Sequence, residues 1–178
     1  MRRFRPTLKW DTGVIGNFIS QRFAWFNFYF MKNLLSFLTI MFAVITLGAL
    51  LAHLFELPRK MMLSKEDYQV VQGIYSGWAW LGIFEIGTIL LTLIWMISER
   101  KKKPIFPSLL TALLLFVISL AIFFLFTFPA NQATINWTHL PDAWETLRIK
   151  WEYSHGIRAV LNLIGFGFLI AALMKKSH

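Results

Sequence analysis

Four apolar runs of membrane-spanning length, separated by short charged stretches, constrain this chain more than any other feature. They are Asn33 to Phe55, Gly77 to Ile97, Ile105 to Phe128 and Gly156 to Met174. A helix needs about 20 mostly apolar residues to cross a bilayer. In hydrocarbon the backbone finds no water, so each run must satisfy its own N–H and C=O groups as a helix. Four such helices in order predict an all-α fold, an integral membrane four-helix antiparallel bundle. Composition agrees: hydrophobic residues make up 57% of the chain and charged residues only 15%, against about 25% charged in soluble domains. That argues against a soluble globule and against a disordered chain. The absence of cysteine excludes disulfides, thiolate metal sites and thiol redox catalysis.

The net charge of +9 has to be read by position. Segment 1–32 carries six Lys and Arg, 98–104 carries four and 175–178 two. The connections 56–76 and 129–155 carry three basic with three acidic residues, and two basic with three acidic. Basic loops stay on the cytoplasmic side. Both termini are therefore expected in the cytoplasm, and the chain in a membrane of the bacterial inner-membrane kind. This pattern accounts for the basic residues, so nucleic-acid binding is set aside. The first apolar run is expected to remain as an anchor rather than to act as a cleaved signal.

The expected organisation is an N-terminal segment 1–32 followed by a four-span domain 33–178. Residues 10–32 mix Trp10, Phe18, Phe23, Trp25, Phe26 and Tyr29 with Asn17, Arg22 and Asn27. An amphipathic, aromatic helix lying in the headgroup zone fits that mixture. The other reading is a docking surface for a partner, either another membrane subunit or a second copy.

Polar groups concentrate at the outer side. Glu85 lies about eight residues into the second run, roughly 12 Å deep at 1.5 Å per residue. An ionisable group at that depth faces the bundle interior. It acts either as a neutral interhelical hydrogen bonder or in a proton, ligand or substrate role. In the last helix Trp151, His155, Arg158 and Asn162 share a face by spacings of four, three and four, with Glu152 close to it. Arg158 is the natural partner of Glu85 or of Glu152. Asn131, in the Phe128-Pro-Ala-Asn131 segment, either caps the backbone or binds a substrate oxygen. Asn136, Trp137 and Trp144 follow it in the loop.

His53 and Glu56, like Glu152 and His155, are His/Glu pairs three residues apart. Di-metal bundles use such pairs with further carboxylates, and two histidines can ligate a haem. A di-metal site needs its ligands at one depth, and Glu85 lies about two helical turns deeper than His53. No metal or cofactor is therefore expected. A histidine near a helix end is more often a hydrogen-bonded structural residue.

The run His53-Leu-Phe-Glu56-Leu-Pro58, then Tyr75-Ser-Gly77-Trp78, Phe128-Pro129-Ala-Asn131, Trp137, Leu140-Pro141, Trp144, Leu147-Arg148 and Trp151-Glu152-Tyr-Ser-His155 with Arg158 resembles the anthrone-oxygenase-like family. These are small four-helix membrane proteins, mostly a domain of unknown function. The resemblance covers residues 33–174, and the Pro-x-Asn and Trp-x-x-x-His-x-x-Arg segments are its most specific parts. It implies four helices and, for a few members, cofactor-independent oxygenation of polycyclic anthrones. On that implication His155 is the base, oriented by Glu152. Arg158, with Asn131 or Asn136, holds the enolate oxygen, and Trp137, Trp144 and Trp151 form stacking walls. Together with Glu85 and His53 these residues make the expected site, a polar pocket for an apolar aromatic or quinone-like molecule. The long start of the chain departs from the family's pattern. It favours the alternative, a non-catalytic accessory subunit of a larger membrane complex docking through its aromatic N-terminal segment.

Overall fold

The structure is a computed structural model that describes the backbone of residues 12–176 and the side chains of residues 30–175. It is helical throughout, with no strand among the described residues. The chain divides into two compact units, Met1–Leu34 and Leu35–His178. The aromatic segment 10–32 and the docking surface expected of it fall almost entirely on side chains outside the described residues.

Helix α1 runs Thr12–Lys60. Pro58 lies in its last turn, where it removes one backbone donor, yet the helix carries on past it. A short amphipathic helix α2, Lys65–Gln72, follows. Ser64 caps α2 by accepting the Asp67 backbone N–H at 3.2 Å, and this sets the register that turns Tyr68 and Gln72 inward. Gly77 at φ +86° makes the left-handed turn into Trp78 that a Cβ would oppose. Helix α3 is Gly82–Ser98 and α4 is Phe106–Ile122, with Pro107 in the first turn of α4, where no donor is lost.

Beyond α4 the backbone widens into one π turn, Phe123–Thr127, and continues as α5, Phe128–Ala133. Pro129 directly follows the third apolar run, Ile105 to Phe128, and does not end the helix there. It sits instead in the first turn of α5, its missing donor falling next to the π turn, where the regular bonding ladder is already broken. The last helix, α6, is Trp144–Lys176, beginning twelve residues before the expected 156. Glu145, Arg148, Lys150 and Glu152 dilute the hydropathy there without disfavouring helix.

Four helical stretches are long and apolar enough to cross a membrane: Phe30–Lys60, Trp78–Ser98, Phe106–Ala133 and Trp144–Lys175. Their order is antiparallel by contact. Ser119 and Ser108 of α4 bond Asn162 and Lys175 of α6, so numbers fall along one helix as they rise along the other. Phe42 of α1 packs on Phe84 of α3, and Lys60 reaches Glu152. Leu90, Ile94, Leu114, Ile118, Val160 and Leu163 are exposed, while Thr39, Thr88, Thr92, Ser119 and Asn162 are buried. Apolar outside and polar inside is the arrangement of a chain solvated by lipid, and the protein is a membrane protein.

One core cluster is mainly aliphatic, built on Ala43, Leu109, Ala112 and Leu169 with the rings of Phe116 and Trp95. The other is aromatic, with Tyr68, Trp137 and Trp151, and lies at the end where α1 finishes and α6 begins. Gly87 packs against Phe42 and Gly165 against Phe116, whereas Gly82 and Gly167 face open space. A Cβ on Gly165 would sit 2.6 Å from Phe116 Cε1, and Phe116 is buried and has nowhere to go. Gly165→Ala is expected to destabilise the bundle by about 1–3 kcal/mol. Gly167→Ala should stay within about 1 kcal/mol of the parent, as thermal unfolding in detergent would show.

Candidate functional site

Two interior stripes meet at the aromatic end of the bundle. Along α1, Thr39, Thr46, His53 and Lys60 recur every seven residues, a near-integral number of turns, and all four are buried. The threonine hydroxyls satisfy themselves on carbonyls one turn back, Thr39 on Leu35 at 2.7 Å and Thr46 on Phe42 at 3.0 Å. Along α6, Trp151, His155, Arg158 and Asn162 are all buried, as the spacing predicts. Where the stripes cross, the His53 and His155 imidazoles lie with centroids 4.3 Å apart. Trp151 covers both, at 4.1 Å from His155 and 5.0 Å from His53. Tyr75 at 4.5 Å and Trp78 at 5.5 Å close the other sides of His53. His155 Nδ1 lies 3.5 Å from Arg158 Nη1. His53 Nδ1 is buried with no hydrogen-bond partner among the described residues.

An ion pair stands on each flank of the imidazoles. Arg158 Nη2 donates to both Glu85 oxygens, at 2.9 and 2.7 Å, tying α6 to α3. Its guanidinium also lies over the Phe123 ring at 4.9 Å, which the π turn brings beneath it. Arg158 thus pairs with Glu85, one of the two carboxylates open to it in the sequence. Glu152 takes the other flank and pairs with neither Arg158 nor His155. Its Oε1 lies 2.7 Å from Lys60 Nζ and accepts the Tyr68 hydroxyl at 2.9 Å, tying α6 to α1 and α2. The expectation that Glu152 orients His155 is therefore corrected.

The Lys60 ammonium is held over the Trp151 and Tyr75 rings at 4.5 and 4.6 Å, a cation–π arrangement that offsets part of its desolvation. Gln72 donates to the Tyr68 oxygen. Burial and the Glu152 carboxylate hold the Tyr68 hydroxyl well above the usual phenol range, so it stays a donor. Tyr75 donates to the exposed Glu56 and is raised likewise, first by burial and then by that bond.

Asn131 belongs to the frame behind the rings. Its Oδ1 accepts two indole N–H groups, Trp137 at 3.0 Å and Trp151 at 2.8 Å. With both lone-pair directions committed, this oxygen has no capacity left for a substrate. The backbone that follows runs through three successive left-handed residues, Ile135 at φ 50°, Asn136 at φ 53° and Trp137 at φ 65°. Each such residue costs roughly 1–2 kcal/mol without a glycine. The turn is held by Asn136 N–H on Asn131 O at 2.7 Å, His139 N–H on Thr134 O at 3.0 Å and Trp137 N–H on Thr134 Oγ1 at 3.0 Å. The left-handed run drives Trp137 into the core and leaves Asn136 exposed.

The structure thus gathers His53, His155, Trp151, Arg158, Glu85 and Glu152 at one place, with Trp137 and Asn131 behind them. It leaves Asn136 outside the group. Trp144 stacks instead on Arg148, whose guanidinium lies 4.5 Å from its ring while donating to Leu63 O at 3.0 Å. Lys60 and Tyr68 are members that the sequence reading missed. The signal for Lys60 was available, because it stands seven residues after His53. Ending the helix at Phe55, before Glu56 and Pro58, hid it. Tyr68 lies in α2, which no span criterion could find.

The cofactor arrangements weighed from the sequence meet specific geometry. Glu56 is bonded to Tyr75 and Glu152 to Lys60, and among the described residues no three His, Asp or Glu side chains are placed to share a metal ion. The imidazoles touch one another, which leaves no room for a macrocycle between them. No family model, no curated protein and no solved structure matches the chain.

Proposed function

We propose that this membrane protein binds a flat, aromatic, oxygen-bearing molecule, a phenol or quinone, at the His53–His155 pair. The observation that carries the reading is the unpartnered Nδ1 of His53, buried among Tyr75, Trp78, Trp151 and His155. A buried acceptor or donor without a partner costs about 1–3 kcal/mol, and polar groups kept inside a membrane bundle are a functional signature. A ligand hydroxyl or carbonyl meeting that nitrogen would relieve the cost, and the rings would stack on its faces. The basic turn Arg100–Lys103 lies at the opposite end of the bundle, and by the positive-inside pattern this supports a site on the outer side.

If the ligand is turned over, the resemblance to anthrone oxygenases supplies the class of reaction. The histidine pair would take the proton of an anthrone-like substrate, and Arg158 would stabilise the resulting enolate. The substrate CH2 would then become C=O, with one atom of O2 entering the carbonyl and the other leaving as water.

The test uses menadione as the probe, with the full chain in mild detergent and tryptophan emission as the readout. Saturable quenching is expected. His53→Ala and His155→Ala should each weaken it by about tenfold or more, a change of about 1.4 kcal/mol. Quenching that does not saturate, or that keeps the parent's affinity in both variants, would refute the site.

A further inference from the structure

We infer that Asn131 is a positioning residue whose single side-chain oxygen sets the ring wall of the histidine pair. Trp151 is the wall in question. It contacts His155, His53 and the Lys60 ammonium at once, so a small rotation of this indole alters all three. Within α6 its Cβ direction is fixed, but rotation about its side-chain bonds is not. What fixes the ring is the indole N–H donated to Asn131 Oδ1. The same oxygen holds Trp137, whose ring meets Trp151 edge to face at 5.8 Å. Trp137 is in turn delivered by the left-handed run Ile135 to Trp137, and that run is anchored on the Asn131 backbone oxygen. One residue therefore fixes both indoles through its side-chain oxygen and anchors the turn through its backbone oxygen, which explains why a costly backbone is kept exposed at Ile135 and Asn136.

The functional meaning of this wall rests on the proposed ligand site, so the experiment reads ring packing and ligand binding separately. Carbethoxylation of histidines by diethyl pyrocarbonate, mapped by mass spectrometry on the full chain in detergent, reads packing with no ligand present. His139 is exposed and serves as the internal reference. In the parent, His53 and His155 should be protected. Asn131→Leu removes the acceptor, and His155 should then react about tenfold faster at unchanged helicity, since one buried hydrogen bond is worth about that factor. Asn131→Asp keeps an acceptor and should restore protection. Trp151→Phe keeps a ring but removes the indole N–H, so it should mimic Asn131→Leu, and the two changes together should add nothing further. It also serves if the leucine variant does not fold.

Menadione affinity should fall and recover in the same order as protection. His155 as protected in Asn131→Leu and Trp151→Phe as in the parent would overturn the assignment. So would equal exposure in the leucine and aspartate variants. Intact protection changes without menadione binding would instead refute the ligand reading alone.

Discussion

Arg158→Ala will destabilise the folded bundle by about 3–5 kcal/mol, because it leaves the Glu85 carboxylate inside the span without its partner. The Arg158 side chain is 4% exposed and that of Glu85 12%, so water cannot replace the two lost hydrogen bonds. Arg158→Lys keeps the charge on a shorter side chain without the planar group that lies over Phe123, and should fall between the alanine variant and the parent. Replacing both residues by Met removes the pair without stranding either charge. Two apolar side chains of similar length should recover most of the loss, because the desolvation cost of both ions disappears with them. Thermal or denaturant unfolding of the four variants in one detergent checks the order. An alanine variant within about 1 kcal/mol of the parent would mean the bidentate pair is not formed.

Glu152→Ala should cost a similar amount, about 3–5 kcal/mol, by stranding the Lys60 ammonium. Glu152 is fully buried and the Lys60 side chain is 4% exposed. The same change leaves the Tyr68 hydroxyl without its acceptor, and Tyr68 is also fully buried. Glu152→Gln separates the two effects. It keeps an oxygen for Tyr68 and removes the negative charge, so Lys60 retains only the faces of Trp151 and Tyr75, worth about 0.5–2 kcal/mol. The glutamine variant should therefore be clearly less damaging than alanine but still destabilised. If glutamine were neutral, the ion pair would contribute nothing beyond a hydrogen bond. If alanine were neutral, Glu152 would not hold α1, α2 and α6 together.

Much of this was legible in the sequence because the bilayer imposes a coarse rule. An apolar run of span length must be a helix. The inward stripe of α6 followed from spacing alone, and with it Trp151, His155 and Arg158. The partners were harder to read. Arg158 had two carboxylates within plausible reach, Glu85 and Glu152, and which pair forms depends on helix rotation and depth, which composition does not encode. Lys60 was lost because Glu56 and Pro58 look like a helix end. Inside a bundle, packing against Trp151 and Glu152 outweighs one missing backbone donor. Asn131 was legible as a polar group near the site but not as a support, since that role depends on two indoles brought together by a left-handed turn. Three consecutive non-glycine residues with positive φ have no local sequence signal.

The site itself is best tested on its imidazoles. The chain has four histidines, so the nitrogen spectrum of histidine-labelled protein is simple enough to assign with His53→Ala and His155→Ala. Titration with menadiol, the hydroxyl-bearing form of the probe, should shift the His53 Nδ1 resonance as it gains a hydrogen bond. The His155 signals should follow, while exposed His139 stays fixed. Menadiol that saturates the protein while both His53 and His155 remain unmoved would contradict the central claim, and would place the binding elsewhere on the bundle.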